Sequence, residues 1–204
     1  MKYKITITLS LFTFLLNSCG NNAYVYPNYD IIKPSVSYKP KRENIKKLLK
    51  KYINKPYVWA EEGPYAFDCS GLTYNIYGKM GVTLPRVAKD QAKVGKEIDP
   101  SQLAYGDLIF FGNQNKRSKN INHVGIYIAN GLFAHASSAN KKVIYSNLNT
   151  SKSYTKRMKV CKRYLSIDEK RLYLNKSGEI PEYKTTRFTT PWKPYMKIPT
   201  KIPS

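Results

Sequence analysis

The chain has 204 residues, with 35 Lys and Arg against 13 Asp and Glu, a formal net charge of +22. That length suits one domain with extensions, and a hydrophobic content of 42% excludes wholesale disorder. One apolar N-terminal segment, three Cys and two His exclude a polytopic membrane protein, a disulfide-dense scaffold and a His-rich metal site.

The charge is not a detachable tail. Residues 1–40 carry 4 basic and 1 acidic residue, residues 41–165 carry 23 and 8, and residues 166–204 carry 8 and 4. Lys dominates, a point charge rather than a bidentate reader of phosphates or bases, and no nucleic-acid-binding motif appears. A solvated Lys-rich surface is the plain reading. An anionic polymer or anionic lipid is the alternative partner.

The chain opens on a cationic Met1-Lys2-Tyr3-Lys4, followed by an apolar stretch from Ile5 to Leu16. That is too short to cross a bilayer as a helix and the right size for a signal segment. It ends in Leu16-Asn17-Ser18-Cys19, which resembles a bacterial lipoprotein box. Residues 1–18 are therefore expected to be a signal peptide and Cys19 a lipidated first residue, giving stable membrane attachment. Residues 19–40 are rich in Asn, Tyr, Pro and Ser without period and read as a tether, so the domain is expected over 41–165.

Ile45, Leu48, Leu49, Tyr52 and Ile53 follow helical spacing and predict a helix over 42–53. After the Gly63-Pro64 loop, Leu72, Ile76, Tyr77 and Met80 predict a second helix, capped by Asp68 or Ser70 and stopped by Gly81. Pro85 opens a predicted third helix containing Val87, Ala88, Gln91 and Val94. From Gly106 the period becomes that of strands: Gly106 to Phe111, His123 to Ile128, Leu132 to Ala136, Val143 to Leu148 and Met158 to Leu165. Residues 114–120 are a polar, basic loop, and Asn130-Gly131 is a hairpin turn. Helices first and an antiparallel sheet afterwards is an α+β layout. Residues 166–204 are basic and Pro-rich and predict an extended tail.

Cys161 lies mid-strand and reads as a small buried hydrophobe, with a disulfide to Cys69 the lesser reading. Cys69 starts a helix, where backbone amides are expected to lower a thiol pKa. A thiolate nucleophile needs a base, and the only imidazoles are His123 and His135, on either side of the turn. A two-residue hairpin pairs positions whose numbers sum to about 261. That sets His123 opposite residues near 138 and His135 opposite residues near 126, and the two rings are expected near one another. Zn²⁺ ligation by the same three residues ranks below Cys catalysis, because no short-spaced ligand pair exists. No metal or other cofactor is expected.

Several runs together resemble the NlpC/P60 cysteine peptidases: Pro56-Tyr57-Val58-Trp59, Phe67-Asp68-Cys69-Ser70-Gly71-Leu72, Leu84-Pro85-Arg86, Gln91, Gly95, Gly106 to Phe111, His123-Val124-Gly125-Ile126-Tyr127 and Phe133-Ala134-His135-Ala136. The similarity is greatest to lipid-anchored, Spr-type envelope members. It implies a papain-like core that cleaves peptidoglycan stem peptides, at the γ-D-glutamyl–diaminopimelate bond or the D-Ala–diaminopimelate cross-link. It implies Cys69 as nucleophile, His123 as base and His135 as orienting residue. Tyr57, Asp68 and Ser70 are implied as substrate-binding residues, with the Cys69 amide and Tyr57 meeting the oxyanion. One departure stands out: Ala60-Glu61-Glu62-Gly63-Pro64 replaces the family's frequent Gly-Gly, which bears on substrate preference. The expected partners are stem peptides and a membrane reached through the lipid anchor, not nucleic acid. A monomer is expected, in the cell envelope facing the periplasm, with the outer membrane ahead of the inner. The alternatives are a catalytically silent peptidoglycan-binding lipoprotein and a thiol acyltransferase.

Overall fold

The computed structural model describes residues 31–168. The expected signal peptide, Cys19, the first part of the tether and the tail beyond Asp168 lie outside the described residues. Among the described residues, no helix is long and apolar enough to cross a membrane.

Three helices precede the main sheet: α1 (Arg42–Tyr52), α2 (Cys69–Gly78) and the single turn α3 (Ala88–Gln91). Six strands follow, β1 (Lys96–Ile98), β2 (Leu108–Gly112), β3 (Ile121–Ala129), β4 (Leu132–Ser137), β5 (Lys142–Asn147) and β6 (Met158–Arg163), with α4 (Lys152–Arg157) between the last two. They form one antiparallel sheet in the order β1-β6-β2-β3-β4-β5. This is the expected α+β, papain-like layout.

The sheet is covered on both faces, so β2 reads as an unbroken apolar run rather than an alternating one. Leu108, Phe110, Val124, Ile126, Ala134 and Ala136 join the apolar sides of α1 and α2 in the larger core. Ile109, Phe111, Tyr127, Phe133 and Cys161 form a smaller core on the other side. Cys161 is buried there as expected, and both Cys161 and Cys69 are free thiols, so the disulfide reading does not hold.

The differences from expectation are local. The third helix does not run from Pro85 to Val94: Val87 is still extended, and only Ala88–Gln91 is helical. The second helix ends at Gly78 rather than near Met80, and Asp68, not Ser70, caps it by accepting the Gly71 N–H at 2.6 Å. β1 and α4 carry no apolar period, so nothing in the sequence marks them; β1 exists because its edge pairs with β6. Residues 32–40, read as tether, lie against the domain. The Ile32 N–H donates to Glu62 Oε1 at 2.8 Å, and the Ser37 and Tyr38 N–H groups both donate to the Lys79 carbonyl.

The hairpin register also differs. Asn130 (φ 52°) and Gly131 (φ 80°) form the expected two-residue turn, and Ala129 pairs with Leu132. Ile128 is then bulged out, and the pairing becomes Tyr127 with Phe133 and Ile126 with Ala134, a sum of 260 rather than 261. The slip decides which face His135 takes. In strict register His135 would share the face of even-numbered β3 residues and turn away from His123; one residue of slip flips it back. A second bulge, at Asn122, separates Phe111–His123 from Gly112–Ile121. His123 and the hairpin are thus set by bulges on both sides.

Candidate active site

Cys69 is the first residue of α2, and its sulfur is approached by its own N–H, that of Ser70 and that of Val124, the residue following His123. These amides favour a thiolate, but burial and the Asp68 carboxylate outweigh them and push the thiol up to about 11. The expected lowering therefore does not occur in the free protein. At neutral pH Cys69 is a protonated thiol.

His123 Nε2 lies 3.0 Å from His135 Nδ1, with the rings edge-to-face at 89° and their centroids 5.0 Å apart. His135 is fully buried, and its Nε2 lies 2.9 Å from Ser146 Oγ on the edge strand β5. Phe133 stacks on His135 at 5.0 Å, and Tyr154 of α4 stacks on His123 and meets His135 edge-on. Burial is the main reason both imidazoles fall below their usual range, His123 to about 3 and His135 to about 4. For His123 the neighbouring His135 comes next, and Arg157 disfavours a cation on either ring. Arg157 is held by the Gly112 carbonyl and Asn122 Oδ1. The resting pair is neutral, and the His123 nitrogen that His135 does not engage, Nδ1, is left for a proton.

Gly125 makes room for this arrangement. A Cβ there would lie 2.6 Å from the Phe133 ring that stacks on His135. Gly71 does the same at the helix start, where a Cβ would meet the Glu61 carbonyl oxygen at 2.1 Å. The departing loop 60–64 therefore crosses directly over the first turn of α2.

Asp68 and Ser70 are both buried and share one cation. Arg86 Nη2 donates to Asp68 Oδ2 at 2.7 Å, Arg86 Nη1 reaches Asp68 Oδ1 and Ser70 Oγ at 3.2 Å, and Arg86 Nε pairs with Glu62 Oε2 at 3.2 Å. Gln91 carries this cluster on α2: its amide donates to the Ser70 and Pro85 carbonyls, and its oxygen accepts from Thr73 Oγ1. Tyr57 is half-buried beside Cys69. Burial first, then the adjacent thiol and Asp68 carboxylate, raise its phenol, so it remains a donor.

The structure thus brings Cys69, His123, His135, Tyr57, Asp68 and Ser70 to one end of α2 and β3. It adds Ser146, Tyr154, Arg157, Arg86 and Glu62, which sequence reasoning did not place at the site. Ser146 was findable: Ser146 opposes Phe133 across the β4–β5 pair, one pleat from His135. Tyr154 and Arg157 were not, because α4 has no periodic signal. Among the described residues no group of three His, Cys, Asp or Glu could hold a metal ion.

The gamma-D-glutamyl-L-lysine dipeptidyl-peptidase of Bacillus cereus is 36% identical over 116 residues, 57% of this chain and 34% of that protein. The bifunctional muramidase/DL-endopeptidase CwlT of Bacillus subtilis is 36% identical over 128 residues, 62% of this chain and 38% of that one. The chain therefore spans about a third of the length of these curated relatives. A crystal structure of a NlpC/P60 family protein from Bacillus cereus superposes with a TM-score of 0.59 at 32% identity, covering 63% of this chain and 41% of that one. The sequence model described as the NlpC/P60 family matches residues 54–163, which hold α2, the hairpin and every residue of the cluster around Cys69. With the thiol, the paired imidazoles and the matched span agreeing, the chain belongs to the NlpC/P60 family.

Proposed function

We propose that the protein is a cysteine endopeptidase of peptidoglycan stem peptides. The observation that carries this reading is the His123–His135 pair at 3.0 Å, with the part-buried Cys69 thiol at a helix start reached by the amide of Val124, the residue after His123. Relatives named as gamma-D-glutamyl-L-lysine dipeptidyl-peptidase and DL-endopeptidase support the substrate class.

In the reaction, His123 Nδ1 takes the Cys69 proton as the sulfur attacks an amide carbonyl carbon. The thiol pKa and imidazole pKa are far apart in the free protein, so the ion pair forms in step with attack rather than in advance. The oxyanion is met by the Cys69 N–H, with the Tyr57 phenol as second donor. The imidazolium then protonates the leaving amine as the C–N bond breaks. Water hydrolyses the thioester and the thiol regains its proton. His135 holds the His123 ring throughout. Asp68 and Ser70, presented by Arg86, form the binding edge for the substrate's amine end. The scissile bond is the γ-D-glutamyl–diaminopimelate bond or the D-Ala–diaminopimelate cross-link.

Purified sacculi incubated with the protein test this. New muropeptides whose masses fit one of those two cuts are expected; an unchanged muropeptide profile refutes the reading. We infer also that Cys19 carries the lipid and fixes the protein to an envelope membrane facing the periplasm. Cys19→Ser is expected to move the protein from the detergent phase to the aqueous phase on partitioning, and no change would refute the anchor.

A further inference from the structure

We propose that Ser146 is a positioning residue that fixes the tautomer of both imidazoles; this rests on the reading of Cys69 and His123 as nucleophile and base. The two contacts hold a fixed number of protons. The 3.0 Å contact between His123 Nε2 and His135 Nδ1 holds one proton, and so does the 2.9 Å contact between His135 Nε2 and Ser146 Oγ. Two neutral arrangements satisfy both contacts. In one, His123 Nε2–H donates to His135 Nδ1, His135 Nε2–H donates to Ser146 Oγ, and His123 Nδ1 is a bare lone pair. In the other every proton is reversed, Ser146 donates, and His123 Nδ1 carries a hydrogen.

Only the first can accept a thiol proton. Ser146 supports it as an acceptor. A hydroxyl can serve in either direction; on the half-buried edge strand it accepts from His135 while its own hydrogen turns to solvent. Ser146 keeps the competent state from being penalised: His135 is fully buried, and a ring N–H left there without an acceptor is costly. An apolar residue at 146 leaves that N–H orphaned and tilts the pair toward the reversed arrangement, in which the base is blocked.

The fold explains why a serine can do this from β5. Phe133 opposes Ser146 and His135 opposes Ile144, so Ser146 is the diagonal neighbour of His135 on the same face. The residue is half-buried on the edge strand, so its own proton reaches solvent when the oxygen is accepting.

The test uses the full chain labelled with ¹⁵N-histidine. His123 and His135 are the only histidines, so every imidazole signal belongs to the pair. Long-range ¹H–¹⁵N spectra of the wild type are expected to show both rings protonated at Nε2. Ser146→Ala is expected to raise the Nδ1–H population of both rings and lower kcat on soluble peptidoglycan fragments by roughly tenfold to a hundredfold, with KM little changed. Ser146→Thr is expected to restore the wild-type spectrum and most of kcat. If Ser146→Ala does not fold, Ser146→Val against Ser146→Thr makes the comparison at constant shape. An unchanged tautomer pattern or unchanged kcat in the apolar variant overturns the assignment. The spectra need no substrate, so a tautomer shift in Ser146→Ala alongside a wild type that hydrolyses no fragments refutes the proposed function and not the role of Ser146.

Discussion

Cys69 and its imidazole partners are individually poor reagents. The Cys69 thiol lies near 11 and the His123 imidazole near 3 in the free protein, because desolvation disfavours the charged form of each. Alkylation by iodoacetamide is therefore expected to be slow at neutral pH, far below a free thiol, and to rise steeply toward alkaline pH. Rapid, pH-independent labelling between pH 6 and 8 would mean a preformed ion pair, with the thiol held below that range by an imidazolium. Gly125 belongs to the same scale. Gly125→Ala presses on the Phe133 ring that supports His135, and kcat is expected to fall by roughly tenfold or more, since about 1.4 kcal/mol of misplacement is a factor of ten. Assayed beside Cys69→Ala as the zero, full activity in Gly125→Ala would show that the ring contact is dispensable.

At the scale of elements, the hairpin and the first turn of α2 do the positioning. Asn130-Gly131 and the flanking strands were legible, yet the bulge at Ile128 was not, because a bulge leaves the alternation of apolar residues intact while shifting the pairing. The proximity of His123 and His135 was thus expected, on a register that would have parted them. Helix α2 was legible through its apolar spacing and its Asp68 cap. Its cluster with Arg86 and Glu62 was not, because Arg86 lies 18 residues from Asp68 and 24 from Glu62 in the chain and only folding joins them. Arg86 places one guanidinium between two buried carboxylates. Arg86→Leu leaves both without that shared cation and is expected to lower unfolding free energy by about 3 kcal/mol, measured by urea titration. A loss under about 0.5 kcal/mol would reduce the cluster to a surface pair.

For the whole molecule, the helices and the sheet are closed together by polar ties as well as by the two cores. Arg163 of β6 grips Asp107 with two hydrogen bonds, 2.8 and 2.7 Å, and also donates to the Gln102 carbonyl. Arg42 of α1 donates to the carbonyls of Tyr105, Leu165 and Ser166, tying the start of the domain to its end. Asp107→Asn keeps the shape and removes the charge, and is expected to destabilise by about 3 kcal/mol. Stability should also depend on pH through the imidazole pair. Both rings sit below their ordinary 6.5, so the unfolded chain binds protons first as pH falls. Stability is full above about 6.5 and declines as pH drops toward about 3; the decline should be shallower in His135→Asn. The charge of +22 acts at this scale too. High salt is expected to weaken binding of Cys69→Ala protein to sacculi, and salt-independent binding would leave the Lys surface without that role.

The proposed hydrolysis passes through a thioester between Cys69 and the substrate's acyl group. Turnover of peptidoglycan fragments in the presence of hydroxylamine tests it most directly, since the amine captures a thioester as a hydroxamate. Part of the freed acyl product is expected to be the hydroxamate with the wild type, and Cys69→Ala is expected to yield neither hydroxamate nor acid. Hydrolysis by Cys69→Ala would contradict it.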